Sequence, residues 1–507
     1  MQLSKLYTVQ SDLAAPSIIE IEVDISSKGI PSFTIVGMAD KAIEESKERI
    51  SAALKNCGLG KPKQKKVVVS LSPADIKKEG PAFDLPIALA VLLADDENTI
   101  EFKSDGKLFI GELALDGSVK PIKGALSAAH AAEQAGYTEL FLPQENAQEA
   151  SLIENISIFG VSTILELIEH LSQESSETPN PELLLSPHAY KVDSHKQTPE
   201  VDFSHVIEQT GVKRALEIAA AGGHNVAMYG PPGTGKTMLA KAFCSILPPL
   251  TKQQQIETTM IHSCAGVLKT SVVTKPPLRA PHHTSSYVAV IGGGAYPKPG
   301  EATLAHNGVL FLDEFPEFDK RVLESLREPL EDNVVRIARS KASVSFPANF
   351  ILLAALNPPS EVFRSGTLIT LADERRFRRK LSGPIMDRID IWIEVPKIDH
   401  EKLLTENPQE ETSAEILTRV ESARKSQYTR QGHLNSLIPS YKLARLASLS
   451  DESKEILDKA ATQLNLSPRV YHKIIKLART IADIEEEETI TPSHILEALQ
   501  YRPKEII

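Results

Sequence analysis

The sequence predicts an α/β protein with a mixed α+β N-terminal domain, a parallel-sheet domain and a helical C-terminal domain. Strand-like and helix-like segments alternate over residues 1–168 and again over residues 201–396, as expected for packed α/β layers. Residues 169–200 between them are rich in serine, proline and acidic side chains, so we expect a flexible linker there. Residues 397–507 show helical spacing, which predicts a third, helical domain.

Local patterns support individual elements of these domains. The run VVVSL at 67–71 is apolar and β-branched, which predicts a buried strand. Apolar residues recur at helical spacing over 41–54, which predicts a helix. Near the C-terminus, Thr491 followed by Pro492 is typical of a helix start.

Composition indicates a protein that folds in water. The 507 residues are 41% hydrophobic and 24% charged, and no apolar run approaches the ~18 residues that cross a bilayer. The N-terminal residues lack the apolar stretch of a secretory signal. Cys57, Cys244 and Cys264 are scattered without metal-ligand spacing, so we expect a cytoplasmic protein without zinc or membrane association. The net charge of −11 argues against nucleic-acid binding over the whole surface, but not against local basic loops.

The strongest local signal is GPPGTGKT at 230–237, between the strand-like NVAMY and the helix-like MLAKAFCSIL. This is a P-loop in its expected context. Glycine lets backbone amides surround phosphates without Cβ clashes, and the helix N-terminus adds positive charge. Lys236 is expected to reach the β- and γ-phosphates, and Thr237 to ligate Mg²⁺. The residues expected to contact the nucleotide are Gly230, Pro231, Pro232, Gly233, Thr234, Gly235, Lys236, Thr237 and Met238.

A second, acidic element follows in GVLFLDEFPEF at 308–318. Four apolar residues predict a buried strand that is followed by Asp313 and Glu314. Open α/β sheets bind ligands beyond the carboxyl ends of their strands, which is where these two acids lie. We expect Asp313 to hold the metal with Thr237, and Glu314 to polarise the attacking water. The two motifs together predict a site that hydrolyses ATP with Mg²⁺.

This motif pair resembles the AAA+ ATPases, and the resemblance implies roles for residues on the next strands. NFILLAALNPP ends at Asn357, which resembles the polar residue between the two acids and the γ-phosphate (sensor 1). A capping asparagine is the alternative. LSGPIMDRIDIWIEVP contains Arg388, which resembles an arginine finger that reaches the nucleotide of the neighbouring subunit. A surface salt bridge to Asp387 or Asp390 is the alternative.

The helical C-terminal region supplies one more candidate. In LSPRVYHKIIKLARTIADIE, Arg469 resembles sensor 2, an arginine that swings onto the nucleotide from a helical lid. Arg479 is the competing choice.

Longer strings make the resemblance more specific. DFSHVIEQTGVKRALEIAAAGGHNVAMYGPPGTGKTMLAKAFCSILPPL and RAPHHTSSYVAVIGGGAYPKPGEATLAHNGVLFLDEFPEF are similar to the Mg-chelatase-like ATPases of the YifB/ComM family, as is SPRVYHKIIKLARTIADIE. That family implies a homo-hexameric ring and a DNA helicase that migrates branches during natural transformation. A chelatase-like or remodelling ATPase that acts on a protein partner is the alternative. Relatives carry cysteines after the asparagine-proline motif, which this chain lacks, so no zinc-dependent loop is expected there.

The N-terminal region resembles the proteolytic domain of Lon proteases, which use a serine and a lysine as their catalytic pair. In EGPAFD the serine position is Ala82, and in GELALDGSVKPIKGAL the lysine position is Leu126. Lys123 is close in sequence, but a base without a nucleophile does not restore the chemistry. We therefore expect a Lon-like domain without peptidase activity.

Two insertions are candidates for contacting single-stranded or branched DNA in a central channel. The glycine-rich region at 280–300 predicts an exposed loop, and the segment at 334–347 predicts a hairpin with a basic turn. Aromatic and basic side chains in such elements bind nucleic acid by stacking and charge. A subunit-contact loop and a solvated hairpin are the respective alternatives. The candidate residues are Tyr296 and Lys298 in the first insertion, and Arg336, Arg339 and Lys341 near the tip of the second.

Overall fold

The protein is described by a computed structural model in which the chain forms two compact units. The first unit comprises Met1–Ser194 and Lys252–Val273, and the second comprises His195–Thr251 and Thr274–Ile507. The structure describes residues 3–11, 16–28, 30–60, 64–97, 100, 102–176, 178–190, 201–294, 297–338, 343–357, 383–397 and 410–503.

The elements are numbered in chain order. The strands are β1 (Leu3–Gln10), β2 (Ser17–Ser26), β3 (Ser32–Val36), β4 (Lys66–Ser72), β5 (Lys107–Phe109), β6 (Glu112–Leu113), β7 (Val119–Lys120), β8 (Glu139–Pro143), β9 (Ser157–Val161), β10 (Val226–Tyr229), β11 (Leu278–Arg279), β12 (Gly292–Gly293), β13 (Lys298–Pro299), β14 (Val309–Leu312), β15 (Val334–Ala338), β16 (Ser343–Pro347), β17 (Ile351–Leu356) and β18 (Ile391–Glu394). The helices are α1 (Lys41–Asn56), α2 (Asp84–Ala94), α3 (Ala125–Gln134), α4 (Ala147–Ala150), α5 (Ile164–Glu174), α6 (Thr210–Gly222), α7 (Lys236–Ser245), α8 (Lys252–Ala265), α9 (Tyr287–Ile291), α10 (Glu301–Leu304), α11 (Lys320–Ser325), α12 (Arg327–Asp332), α13 (Gly383–Met386), α14 (Ser413–Gln431), α15 (Ser440–Leu446), α16 (Asp451–Gln463), α17 (Pro468–Ile484) and α18 (Pro492–Gln500).

The first unit contains a four-stranded sheet of order β1-β2-β4-β3 and a three-stranded parallel sheet of order β5-β8-β9. The strand predicted at 67–71 is confirmed as β4, which buries alternate residues. The helix predicted at 41–54 is confirmed as α1, and Asp40 caps it by accepting a hydrogen bond from the Ile43 amide at 2.9 Å. The boundary predicted at residue 168 falls inside α5, which buries Leu167, Ile168 and Leu171.

Helix α8 departs from the predicted domain plan. The sequence predicted one uninterrupted domain over 201–396, but α8 and the residues up to Val273 belong to the first unit. Ile256 and Met260 pack against the apolar cluster that contains Leu126, and the Ser263 hydroxyl accepts a hydrogen bond from the Gly124 amide at 3.0 Å. These contacts hold α8 in the first unit, and they could not be predicted from the sequence of the helix alone.

The second unit is organised around a five-stranded parallel sheet of order β11-β14-β17-β10-β18. Strands β14 and β17 are buried along their whole length, as expected when helices cover both faces of a sheet. Because β14, β17 and β10 are adjacent and parallel, their carboxyl ends lie side by side. The P-loop, the acidic pair and Asn357 each follow one of these three ends.

The C-terminal helices belong to the same unit as this sheet, although the sequence predicted a separate domain from residue 397. Residues of α14 and α17 share one apolar core with β10 and β17. The Trp392 amide donates to the Tyr501 carbonyl at 2.8 Å, which fixes the C-terminal helix to β18. No helix in the described part of the chain is both long enough and apolar enough to span a bilayer.

Candidate nucleotide-binding site

The P-loop joins β10 to α7 with the backbone that the motif requires. Gly233 and Gly235 have φ values of +79° and +85°, in the left-handed region that favours glycine. A Cβ added at either glycine would meet no atom within 4 Å, so the loop borders open space. This open, glycine-lined turn at the N-terminus of α7 fits a phosphate group.

Lys236 lies at the start of α7 with only 7% of its surface exposed. Its Nζ donates to the carbonyls of Gly230 at 2.9 Å and Pro231 at 2.8 Å, so the ammonium is held against the loop. Burial lowers the pKa of Lys236, while the Asp313 carboxylate acts in the opposite direction. The Lys236 ammonium thus lies against the P-loop, where it was predicted to bind phosphates.

Thr237 and Asp313 meet across the sheet edge. The Thr237 hydroxyl donates to Asp313 Oδ2 at 3.1 Å, and the other carboxylate oxygen accepts from the Glu314 amide at 2.9 Å. A hydroxyl and a carboxylate are the oxygen ligands that Mg²⁺ prefers in phosphate sites. The two residues therefore fit a magnesium ion, and the predicted pairing of the two motifs is present in the fold.

Glu314 has a left-handed backbone, with φ of 51°. Such a conformation is uncommon outside glycine and is found at functional sites. Its carboxylate Oε2 lies 2.9 Å from Nδ1 of His283. His283 is a residue that the sequence analysis did not single out. No local pattern pointed to it, because β11, which precedes His283 and pairs with β14, has only two residues.

A cavity of ≈ 440 Å³ borders the P-loop on the side of α6. Val206 and Ile207 line it together with Met238 and Leu239, while Gln209 Nε2 donates to the Thr234 carbonyl at 3.4 Å. An apolar cavity next to a phosphate loop suits a nucleotide base. The sequence did not single out Val206 and Ile207, since an apolar pair before a helix is equally typical of a core.

Asn357 follows β17, beside the strand that carries Asp313. Its Oδ1 is buried, and it has no hydrogen-bond partner among the residues that the structure describes. Leaving a buried acceptor unsatisfied costs about 1–3 kcal/mol, so such an atom points to a ligand or water. The sensor assignment of Asn357 stays a prediction.

Arg388 and Arg469 are brought together, which neither assignment anticipated. Both guanidinium groups pair with one carboxylate, that of Glu331, and the Arg469 Nη2–Glu331 Oε1 distance is 3.1 Å. The alternative for Arg388 was a salt bridge to Asp387 or Asp390, whereas the salt bridge observed here is with Glu331. The finger assignment of Arg388 stays a prediction.

Two other charged residues named in the sequence analysis, Asp390 and Arg479, have structural partners. Asp390 pairs with Lys473 at 3.3 Å and His224 at 3.3 Å. Arg479, the competing choice for sensor 2, is 1% exposed and pairs with Asp483 at 3.0 Å inside the lid. Arg479 is therefore a core residue, whereas Arg469 is 44% exposed.

Comparison with known proteins identifies the relatives of this chain. Three family models match: "Magnesium chelatase, subunit ChlI" over residues 202–403, "Subunit ChlI of Mg-chelatase" over 21–146, and "Magnesium chelatase, subunit ChlI C-terminal" over 410–502. "Competence protein ComM" of Haemophilus influenzae is 39% identical over 505 residues, which cover 99% of this chain and 98% of that protein. YifB of Escherichia coli K12 is 38% identical over 488 residues, covering 96% and 94%. The chain belongs to the YifB/ComM family of Mg-chelatase-like AAA+ ATPases.

A more distant similarity extends beyond this family. The "DNA replication licensing factor mcm6" of Schizosaccharomyces pombe is 24% identical over 378 residues, which cover 69% of this chain and 38% of that protein. A YifB/ComM member therefore shares detectable sequence with a protein named for a role on DNA.

The second insertion of this family member forms the predicted hairpin. Strands β15 and β16 pair antiparallel, with Arg336 opposite Ser345. Arg336 is not near the tip as predicted but in the middle of β15, because the strand continues to Ala338. Arg339 and Lys341 lie outside the described residues.

The first insertion contains a helix and a two-stranded ribbon, whereas an exposed loop was predicted. It contains α9, with Val290 and Ile291 buried, and the ribbon of β12 and β13. Lys298 is exposed on this ribbon, as a nucleic-acid contact would require. Tyr296 falls outside the described residues.

The two positions predicted to align with the Lon catalytic pair, Ala82 and Leu126, lie at an apolar cluster. Leu126 is fully buried in α3, and Ala82 packs against the same cluster. An alanine and a leucine offer neither a nucleophile nor a base, so these positions contribute packing. The likeness of the first unit to the Lon fold stays a prediction.

Proposed function

We propose that this protein hydrolyses ATP at the carboxyl ends of strands β10 and β14 of its parallel sheet. We propose that it uses the energy of hydrolysis to move DNA. The observation that carries the first half is the contact between Thr237 and Asp313, which joins the P-loop to the acidic motif. In that arrangement Lys236 exchanges its loop carbonyls for the β- and γ-phosphates. Thr237 and Asp313 would hold Mg²⁺, which neutralises phosphate charge when bound.

Glu314 provides the base for hydrolysis. Its carboxylate takes a proton from a water molecule, the water oxygen bonds to the γ-phosphorus as the bond to the bridging oxygen breaks, and ADP departs with that oxygen. The contact with His283 occupies one oxygen of this carboxylate. Its other oxygen, Oε1, is the one that takes the proton of the attacking water. Asn357 supplies a free amide oxygen at the neighbouring strand end, where it would orient the water or the γ-phosphate.

The DNA half of the proposal rests on the relatives and on the hairpin. ComM is named for competence and mcm6 for DNA replication, and both are similar to this chain over long stretches. The sequence of the hairpin segment contains Arg336, Arg339 and Lys341, and phosphate contacts by such residues give sequence-independent binding. We propose a cytoplasmic homo-hexamer that drives branch migration on single-stranded or branched DNA, with Arg388 acting at the neighbouring subunit and Arg469 at the nucleotide. The first unit serves assembly or DNA guidance without peptidase activity.

A branch-migration assay tests this function. Labelled four-way and forked DNA would be incubated with protein and ATP, with Glu314→Gln as the control that retains the fold but lacks the base. We expect strand exchange by the wild type only when ATP is hydrolysed. Absence of strand exchange, with ATP hydrolysis intact, would refute the DNA motor.

A remodelling ATPase that acts on a protein partner is the second candidate. It is favoured by the three matching models, which all describe magnesium chelatase subunits. Under that function, ATP hydrolysis proceeds without any response to DNA.

A further inference from the structure

Glu331 occupies a position that links three parts of the second unit. It lies in α12, the short helix directly before the hairpin β15–β16. Its carboxylate pairs with Arg388, which precedes β18, and with Arg469, in the first turn of the lid helix α17. One side chain on a third element thus joins two arginines that the sequence places far apart.

The Glu331 carboxylate is a counter-ion that both arginines share. Two guanidinium groups share one carboxylate, and the Arg388 side chain is only 5% exposed. A buried cation is stabilised by its counter-ion, so the Glu331 carboxylate helps to hold Arg388 in place. The Arg388 guanidinium, more than Arg469, holds the pKa of Glu331 below its usual range, so the carboxylate is ionised at neutral pH.

Helix α12 is also tied to the hairpin. Arg336 Nη1 of β15 lies 2.7 Å from Glu328 Oε1 and 3.0 Å from Asp332 Oδ2, and both acids belong to α12. The same helix therefore presents one carboxylate to the two arginines and two carboxylates to the hairpin. A polyanion bound to the hairpin competes for Arg336 and weakens its attachment to α12.

We propose that Glu331 is a positioning residue that keeps Arg388 and Arg469 paired within their own subunit, and that a nucleic-acid strand on the hairpin releases them through α12. This inference rests on the proposed function, because it assigns the trigger to DNA. Released, the two arginines are free to reach a nucleotide phosphate. Hydrolysis then accelerates only when DNA occupies the hairpin.

The direct test measures ATP hydrolysis by full-length protein without DNA and with saturating single-stranded DNA. Glu331→Gln removes the charge with little change of shape. We expect its DNA-free rate to rise about three- to fivefold, the factor by which loss of a partly exposed ion pair shifts an equilibrium. Its stimulation by DNA should shrink by the same factor. Glu331→Asp keeps a carboxylate and should restore the low basal rate.

Two further variants keep the test decisive. Glu324→Gln removes an exposed acid from the preceding helix α11, where it pairs only loosely with Lys320 at 3.6 Å, and should leave both rates unchanged. The double variant Glu328→Gln/Asp332→Asn removes both ion pairs between Arg336 and α12 and leaves Glu331, Arg388 and Arg469 unchanged. It should still bind DNA, measured by fluorescence anisotropy, but respond to it with a weaker rise in hydrolysis.

The outcomes separate this inference from the proposed function. If Glu331→Gln melts like the wild type but hydrolyses ATP no faster without DNA, Glu331 is not a restraint. If Glu331→Gln does not fold, an undiminished DNA response in the double variant overturns the coupling through α12. If the wild type hydrolyses ATP but ignores DNA, the DNA motor fails, whereas a raised rate in Glu331→Gln would still support the restraint.

Discussion

Replacing Glu314 by glutamine isolates the chemical step of the proposed reaction. The substitution removes a negative charge and keeps the shape of the side chain. The backbone amide that donates to Asp313 at 2.9 Å is unaffected, so Asp313 and Thr237 keep their contact. ATP binding should therefore stay within about threefold of the wild type. Loss of a general base costs about 10²–10⁴-fold in rate, or roughly 3–5 kcal/mol of activation free energy.

Two measurements on the same preparation check this expectation. Steady-state phosphate release gives the rate, and binding of a fluorescent ATP analogue gives the affinity. Glu317→Gln is the matched control, because it removes an exposed acid from the same turn and should change the rate less than about twofold. A variant Glu314→Gln that hydrolyses ATP at the wild-type rate would show that another group is the base. Loss of ATP binding in that variant would show that Glu314 holds the site together.

The remaining predictions concern binding, assembly and pH. Lys236→Ala should abolish nucleotide binding in the same fluorescence assay, because it removes the buried cation of the P-loop; retained affinity would refute its role. Arg388→Ala should be partly rescued by mixing with Lys236→Ala, since the two damage different faces of an interface; no rescue at any ratio would argue against a finger. Burial raises the pKa of Glu149, so its native form binds a proton more readily than the unfolded chain, and stability falls as pH rises above about 4.3. Glu149→Gln should therefore raise the melting temperature more at pH 8 than at pH 5, whereas the exposed Glu145→Gln should show no such trend.

The parts of the site that sequence could predict are those encoded locally. The P-loop residues are consecutive, and Asp313 follows four apolar residues, so both motifs carry their own strand context. Because all strands of the sheet are parallel, the residues that follow β10 and β14 lie at the same end of the sheet. The hairpin β15–β16 could also be predicted locally, because two β-branched runs flank its turn.

The parts that sequence missed depend on tertiary neighbours. His283 reaches Glu314 because β11 pairs with β14, and a two-residue strand has too short a pattern to predict. Glu331 meets Arg388 and Arg469 through the packing of the lid, which no spacing encodes. Helix α8 belongs to the first unit although its residues lie within the range 201–396, because its partners are distant in sequence.

DNA-dependent ATP hydrolysis is the measurement that tests the account most directly. Phosphate release would be followed with and without single-stranded and branched DNA over a salt series. The account predicts strong stimulation by DNA that fades as salt rises and is lost in Arg339→Ala/Lys341→Ala, since phosphate contacts release counter-ions. Hydrolysis that stays unchanged by DNA at low salt, without DNA binding, would contradict the motor and favour a protein-remodelling ATPase.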